Sequence, residues 1–206
     1  MKPIKSLLVL AIVCAPLVAS AQGYYGRGGN GGAPVPGGFH NRTGRLSWGV
    51  GLGVGGMSDG GSAVTSCANC DVQPLAGEAD FHIGGVISPR LALLFELQGN
   101  VQTVHSDNFN GDTLVKQGAA MFAAQFWVLP QLWLKGGLGF ANLQVDDAYF
   151  LEDFGTGSAL LGAAGVELMS ARNFALDLQG RVLWTSYNSL NDNVTSATIG
   201  IGIDWY

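Results

Sequence analysis

From residue 45 to the C-terminus the chain alternates apolar and polar or small residues with a period of two. That pattern belongs to extended strands with one apolar face and excludes an amphipathic helix, whose period is 3.6. Leu46, Trp48, Val50, Leu52 and Val54 share one parity, with Ser47, Gly49, Gly51 and Gly53 on the other. Phe81, Ile83 and Ile87 oppose Glu78, Asp80 and His82. Leu91, Leu93, Phe95 and Leu97 oppose Glu96, Gln98, Asn100 and Gln102. Phe122, Phe126 and Val128 alternate with Met121, Ala123 and Gln125, and Leu134, Leu138 and Phe140 with Lys135, Gly137 and Gly139. Leu160, Val166 and Leu168 oppose Ala163 and Glu167. Phe174, Leu176, Leu178, Val182 and Trp184 oppose Asp177, Gln179 and Arg181. Ile199, Ile201, Ile203 and Trp205 oppose Gly200, Gly202 and Asp204. The count predicts eight strands, each long enough to cross a bilayer at the usual tilt.

Their connections alternate in length. Ser88-Pro89-Arg90, Leu129-Pro130-Gln131 and Ala171-Arg172-Asn173 read as tight turns about 41 residues apart, an internal repeat of one hairpin. Segments 57–75, 105–113, 146–157 and 188–194 read as longer polar loops. An even strand number, with short turns at one rim and long loops at the other, predicts an antiparallel up-and-down barrel.

Which face meets solvent separates a soluble barrel from a membrane one. Only 12% of residues are charged, against 48% hydrophobic, and 32 are glycine. The polar parity is too poor in charge to be a solvated exterior, yet it holds Glu, Asp, His, Lys and Arg. A narrow polar lumen and a lipid-facing apolar wall fit both facts, and a closed barrel pairs every backbone group inside lipid. Trp48, Phe174 and Trp205 near one rim and Trp184 near the other fit interfacial girdles. Trp127 and Trp133 fall on the lumen parity, where the pattern alone does not place them.

The N-terminus carries an export signature. Lys2 and Lys5 precede an apolar run from Leu7 to Val18, then Ala19-Ser20-Ala21. Residues 1–21 read as a cleaved signal peptide, with Val13 before Cys14 disfavouring a lipid anchor. Cleavage leaves 8 basic and 15 acidic residues, a net charge of −7, which disfavours nucleic acid as a partner. Residues 22–44, rich in Gly and Pro, read as a flexible leader on the periplasmic side. Cys67 and Cys70 are the two cysteines beyond the signal peptide. They lack the helical context of a redox motif and the further ligands of a metal site, so a small disulfide ring in the first long loop is expected.

The last strand, Ile199-Gly200-Ile201-Gly202-Ile203-Asp204-Trp205-Tyr206, resembles the C-terminal assembly signal of outer-membrane β-barrels, with its alternation in phase with Trp205 rather than Tyr206. Residues 45–206 resemble the small eight-stranded OmpA/OmpX-like barrels. The resemblance implies a monomer in the outer membrane of a Gram-negative cell, inserted by the barrel-assembly machinery and surrounded by lipid and lipopolysaccharide. It implies location more than activity.

Candidate chemistry is sparse. Glu78, Asp80 and His82 could form an acid/base cluster, but lipid-modifying barrels need such groups facing lipid, and these lie on the lumen parity. They read instead as a lumen ion-pair network with Glu96, Lys135, Glu167, Asp177 and Arg181. Arg181 is expected to cross the glycine-lined seam to Asp80 or Glu96, and Lys135 to pair with Glu167. Loop acids such as Asp59, Asp107, Asp146 and Asp153 show no spaced calcium pattern, so neither metal nor cofactor is expected. The first functional expectation is a non-enzymatic barrel that reinforces the membrane or presents loops for adhesion or interaction. A narrow porin-like channel is the alternative, and a lipid A-modifying enzyme ranks third.

Overall fold

The computed structural model describes residues 41–60, 62–63, 75–106, 111–146, 151–171, 173–187 and 193–206. Residues 1–21, read as a signal peptide, most of the expected leader, and Cys67 and Cys70 of the expected disulfide lie outside the described residues. Eight long strands form the wall: β1 (Leu46–Asp59), β2 (Ala76–Ser88), β3 (Leu91–Ser106), β4 (Gly111–Trp127), β5 (Leu132–Asp146), β6 (Leu151–Ser170), β7 (Phe174–Tyr187) and β8 (Asn193–Trp205). A two-residue strand, Ser62–Ala63, pairs back on the end of β1. Each strand is antiparallel to the next in sequence. The sheet closes where β1 pairs with β8, from Trp48 opposite Trp205 to Asp59 opposite Val194. Closure removes the edge strands that an open sheet would expose.

The strands are longer than a membrane requires. β6 has 20 residues and β4 has 17, against the roughly 10 that cross a bilayer. Regular pairing therefore continues into segments expected to be loop, including 111–113 and 151–157. One register shift on the β5–β6 side falls at Gly155, whose φ of 79° is a conformation that glycine adopts without strain.

The two faces separate as the alternation predicts. Leu52 (71% exposed), Phe122 (76%) and Phe140 (70%) stand on the outer wall, while Glu78, Asp80, His82, Glu96, Lys135, Asp177 and Arg181 are buried inside. Soluble barrels bury their large apolar side chains; this one turns them outward in a continuous band, the arrangement that lipid stabilises. Trp48 stacks on Trp205 across the closing seam, with ring centroids 4.3 Å apart, and Phe174 packs edge-on against Trp205.

The folded unit reaches further toward the N-terminus than composition indicates. Among the described residues it includes 41–44, which composition assigns to the leader. Gly44 N donates to Val86 O at 2.7 Å and Val86 N to Arg45 O at 3.0 Å, which ties residues 44–45 to β2 at the turn rim. The reason lies in Arg42, whose partners come from distant strands.

Candidate functional site

Among the described residues, buried charged groups converge in the lumen, and its contents change with height. At the middle, Arg181 on β7 reaches over β8 and β1. Its Nε lies 3.0 Å from Glu78 Oε1, its Nη1 lies 3.3 Å from Asp80 Oδ1, and its Nη2 bonds Glu96. Nη2 also donates to Gln98 Oε1 at 3.0 Å. The glycines of the seam make this possible by housing the carboxylates. A methyl at Gly51 would collide with Asp80 and Gln179, and one at Gly53 with Glu78. The acids of β2 thus lie over β1 and meet the guanidinium arriving from the opposite side.

Lys135 departs from expectation. Its Nζ pairs with Glu96 Oε2 at 3.1 Å, not with Glu167. Glu96 thus bridges Arg181 and Lys135, and two cations share its two oxygens. His82 Nε2 lies 2.6 Å from Asp204 Oδ1 and Nδ1 lies 3.7 Å from Asp80 Oδ1. Asp177 accepts from Trp133 Nε1 at 3.0 Å and meets no cation directly. Its oxygen occupies space that a side chain at Gly202 would fill.

Glu167 belongs to a second cluster, at the turn rim. Arg42 is 4% exposed and grips Glu167 with two bonds, Nη1 to Oε1 at 2.9 Å and Nη2 to Oε2 at 3.2 Å. It also donates to Ser170 Oγ at 2.9 Å and to Ala171 O at 3.1 Å. Its guanidinium lies 3.8 Å from the ring centroid of Tyr206. Trp127 Nε1 completes the set by donating to Glu167 Oε1 at 2.7 Å. A register shift between Glu167 and Met169 breaks the alternation, so that Ser170 also faces inward and donates to Glu167. Register keeps Lys135 away from Glu167, since Lys135 lies opposite Ala163, four residues along β6, and the acid is left to a guanidinium that can grip it with two bonds.

Above the charged layer come neutral polar groups. Asn100 Nδ2 donates to Gln117 Oε1 at 3.2 Å and to Ser196 Oγ at 3.1 Å, and Gln117 Nε2 to Thr185 Oγ1 at 2.9 Å. Beside the charges and on toward the loop rim the lumen is apolar, with Met57, Val115, Met121, Leu143, Leu161, Leu183 and Tyr187 in one buried cluster. Toward the turn rim Val86, Leu94, Trp127 and Trp133 form another. The expected polar lumen is corrected accordingly: ion-pair clusters at mid-height and at the turn rim lie among buried apolar side chains. Trp127 and Trp133 occupy the lumen because each indole N–H meets a carboxylate there.

Sequence reasoning missed Arg42, Asp204 and both tryptophans as members of these clusters. Asp204 sits on the lumen parity of β8 and could have been read from the alternation. Arg42 precedes the first strand and left no periodic trace. Lys116 lies on the outer wall with its Nζ 2.9 Å from Asp146 Oδ2. Trp205 ends β8 and Tyr206 follows it; the tyrosine faces Arg42 and Trp127, whereas Trp205 lies on the wall.

No family model matches the chain, and no curated protein does. Solved structures do. Neisserial surface protein A aligns with a TM-score of 0.55 at 13% identity, covering 78% of this chain and 96% of that one. Ail, the attachment invasion locus protein of Yersinia pestis, solved with the heparin analogue sucrose octasulfate, aligns with a TM-score of 0.50 at 12% identity, covering 78% and 99%. The fold is that of the small eight-stranded outer-membrane β-barrels. At this identity the likeness concerns the wall and its topology, and the lumen clusters are argued from this chain's own residues.

Proposed function

We propose that the protein is a non-conducting, non-enzymatic outer-membrane barrel that serves as a membrane-embedded scaffold for its outer loops. The observation that carries this reading is the filled lumen. Its mid-height cations, Arg181 and Lys135, lie within 3.3 Å of carboxylates, and two buried apolar clusters fill the space around them. An eight-stranded barrel is only just wide enough for such a filling, and a hydrated ion would have to displace bonded side chains. The channel reading is therefore disfavoured. The lipid A-modifying reading finds its acid/base cluster sealed from lipid, since Glu78, Asp80 and His82 are all buried inside.

The export signature of residues 1–21 and the outward apolar band support the outer membrane of a Gram-negative cell. The assembly-signal resemblance of Ile199, Ile201, Ile203, Trp205 and Tyr206 supports insertion by the barrel-assembly machinery, as a monomer surrounded by lipopolysaccharide. Ail's complex with a heparin analogue shows that a barrel of this fold can hold a polysulfated sugar. The loops here are rich in Asp and carry little base, so a polyanion is not the partner proposed. The test is twofold. Membrane fractionation should place the mature chain in the outer membrane, and planar-bilayer recordings should show no discrete conductance steps. Reproducible single-channel steps from the parent protein would overturn the non-conducting reading.

A further inference from the structure

The outer wall is not evenly covered. Five outward-facing positions lie in one register row across five strands: Ala79 opposite Gly99, Gly99 opposite Gly118, Gly118 opposite Asn142, and Asn142 opposite Thr156. Three of the five have little or no side chain. The next row toward the turn rim is Phe81, Leu97, Ala120 and Phe140, three bulky groups and one gap. The result is a groove of about 650 Å³ floored by Ala79, Gly99, Gly118 and Ala120 and walled by Phe81, Leu97 and Phe140. Its far end is polar. The Asn142 amide lies across Gly118, where a methyl would come within 2.6 Å of its Oδ1, and Thr156 stands beside it. One row nearer the loop rim, Gln144 lies opposite Lys116, whose ammonium is paired with Asp146.

We infer that this groove binds one acyl chain of an outer-leaflet glycolipid whose chain is joined to its sugar by an amide. The inference rests on the outer-membrane reading, which puts the loop rim in the glycolipid leaflet. The apolar floor and aromatic walls take the chain. Asn142 and Thr156 stand at the depth of the junction, and together they offer both donors and acceptors. An amide-linked hydroxyacyl group also carries both, whereas a glycerol ester can only accept. Gln144 and the neutral Lys116–Asp146 pair then face the sugar hydroxyls. A second copy of the barrel fits less well, because a wall of phenylalanines would leave Asn142 and Thr156 unpaired in an apolar contact.

The test uses the full mature chain refolded into nanodiscs of phosphatidylethanolamine and phosphatidylglycerol with a minor fraction of lipid A. The lipids retained on release are then read by native mass spectrometry. Gly99→Phe fills the floor without disturbing the fold, since a Cβ at Gly99 meets nothing within 4 Å. Asn142→Leu with Thr156→Val keeps the shape and removes the polar end. The parent should retain one lipid A in preference to either phospholipid. Both variants, checked as folded by heat-modifiable mobility, should retain about tenfold less, the loss expected from a few displaced apolar and hydrogen-bonding contacts. Equal retention by parent and Gly99→Phe overturns the proposal. So does retention of phospholipid as strong as lipid A, or a dimer mass that Gly99→Phe dissociates. The bilayer composition is set by hand, so these outcomes do not depend on which membrane holds the protein in cells; fractionation tests that separately.

Discussion

Arg181 and Arg42 are both buried guanidiniums, yet they hold different parts of the barrel together. Arg181 joins β7 to β2 and β3 across the glycine seam through Glu78, Asp80 and Glu96. Removing one partner of a buried pair costs far more than the pair contributes, because it strands the opposite charge. Arg181→Ala leaves three carboxylates facing one another and should destabilise the folded barrel by about 3–5 kcal/mol, the usual range for breaking a buried pair. Urea titration followed by heat-modifiable mobility measures this. Lys116→Ala is the control: its partly exposed pair with Asp146 should contribute at most about 1 kcal/mol. An Arg181→Ala barrel as resistant to urea as Lys116→Ala would remove the case for the charged layer as the main tie. Arg42→Ala strips Glu167 of its bidentate partner and uncovers Tyr206 and Trp127. The expected outcome is a loss of about 3 kcal/mol or more on the same scale, with red-shifted tryptophan emission as water enters the turn rim. A variant with unchanged emission and stability would show that Arg42 merely rests on the rim.

At the scale of elements, the seam between β1 and β8 depends on what its strands omit. Gly49, Gly51 and Gly53 leave room for His82, Asp80 and Glu78 to lie over β1, and Gly202 does the same for Asp177. Gly51→Val should block folding more completely than Arg181→Ala, since it evicts Asp80 and Gln179 from a layer with no spare volume. The assay is the appearance of a folded band on unboiled gels, and a normal yield of that band from Gly51→Val would contradict the account. The last strand carries a second dependence. Trp205 stacks on Trp48 across the closure and Tyr206 lies over Arg42. Deleting both should prevent closure and membrane insertion, and a truncated chain that still migrates as a folded barrel would refute this. Cys67 and Cys70 fall between β1 and β2 in the sequence. Mass spectrometry of unreduced, alkylated protein is expected to find no labelled thiol there, because the compartment is oxidising.

For the whole molecule, what fills the lumen matters more than its diameter. Burial among apolar side chains lowers the local dielectric around the charges, which strengthens the ion pairs and raises the cost of breaking any one of them. The same filling predicts an electrically silent barrel. Conductance should emerge, if anywhere, in variants that open both the charged layer and the Arg42 cluster. Bilayer recordings of Arg181→Ala combined with Arg42→Ala test this, and a silent double variant that is folded would place the barrier in the apolar clusters instead.

Strand number, wall polarity and closure were legible in the sequence, because each follows from local period and turn chemistry, whereas the expected loops 105–113 and 146–157 are largely paired strand in their described residues. Alternation assigns every residue to a face, and from there the membrane reading needs only the charge content of each face. Partner choice inside the lumen was not legible. Parity placed Lys135, Glu96, Glu167 and Arg181 on the inner face, but a period of two is silent about which of them meet across the barrel. Lys135 meets Glu96 because the register sets it opposite Ala163, four residues from Glu167, and Glu167 is held by Arg42, a residue with no periodic signature. The outer groove is legible only in register, since the glycines and alanines that floor it lie on different strands and become neighbours through hydrogen bonding alone. A one-dimensional pattern reports which way a side chain faces. Which side chains meet depends on shear, closure and space, and those exist only once the sheet has joined its two ends.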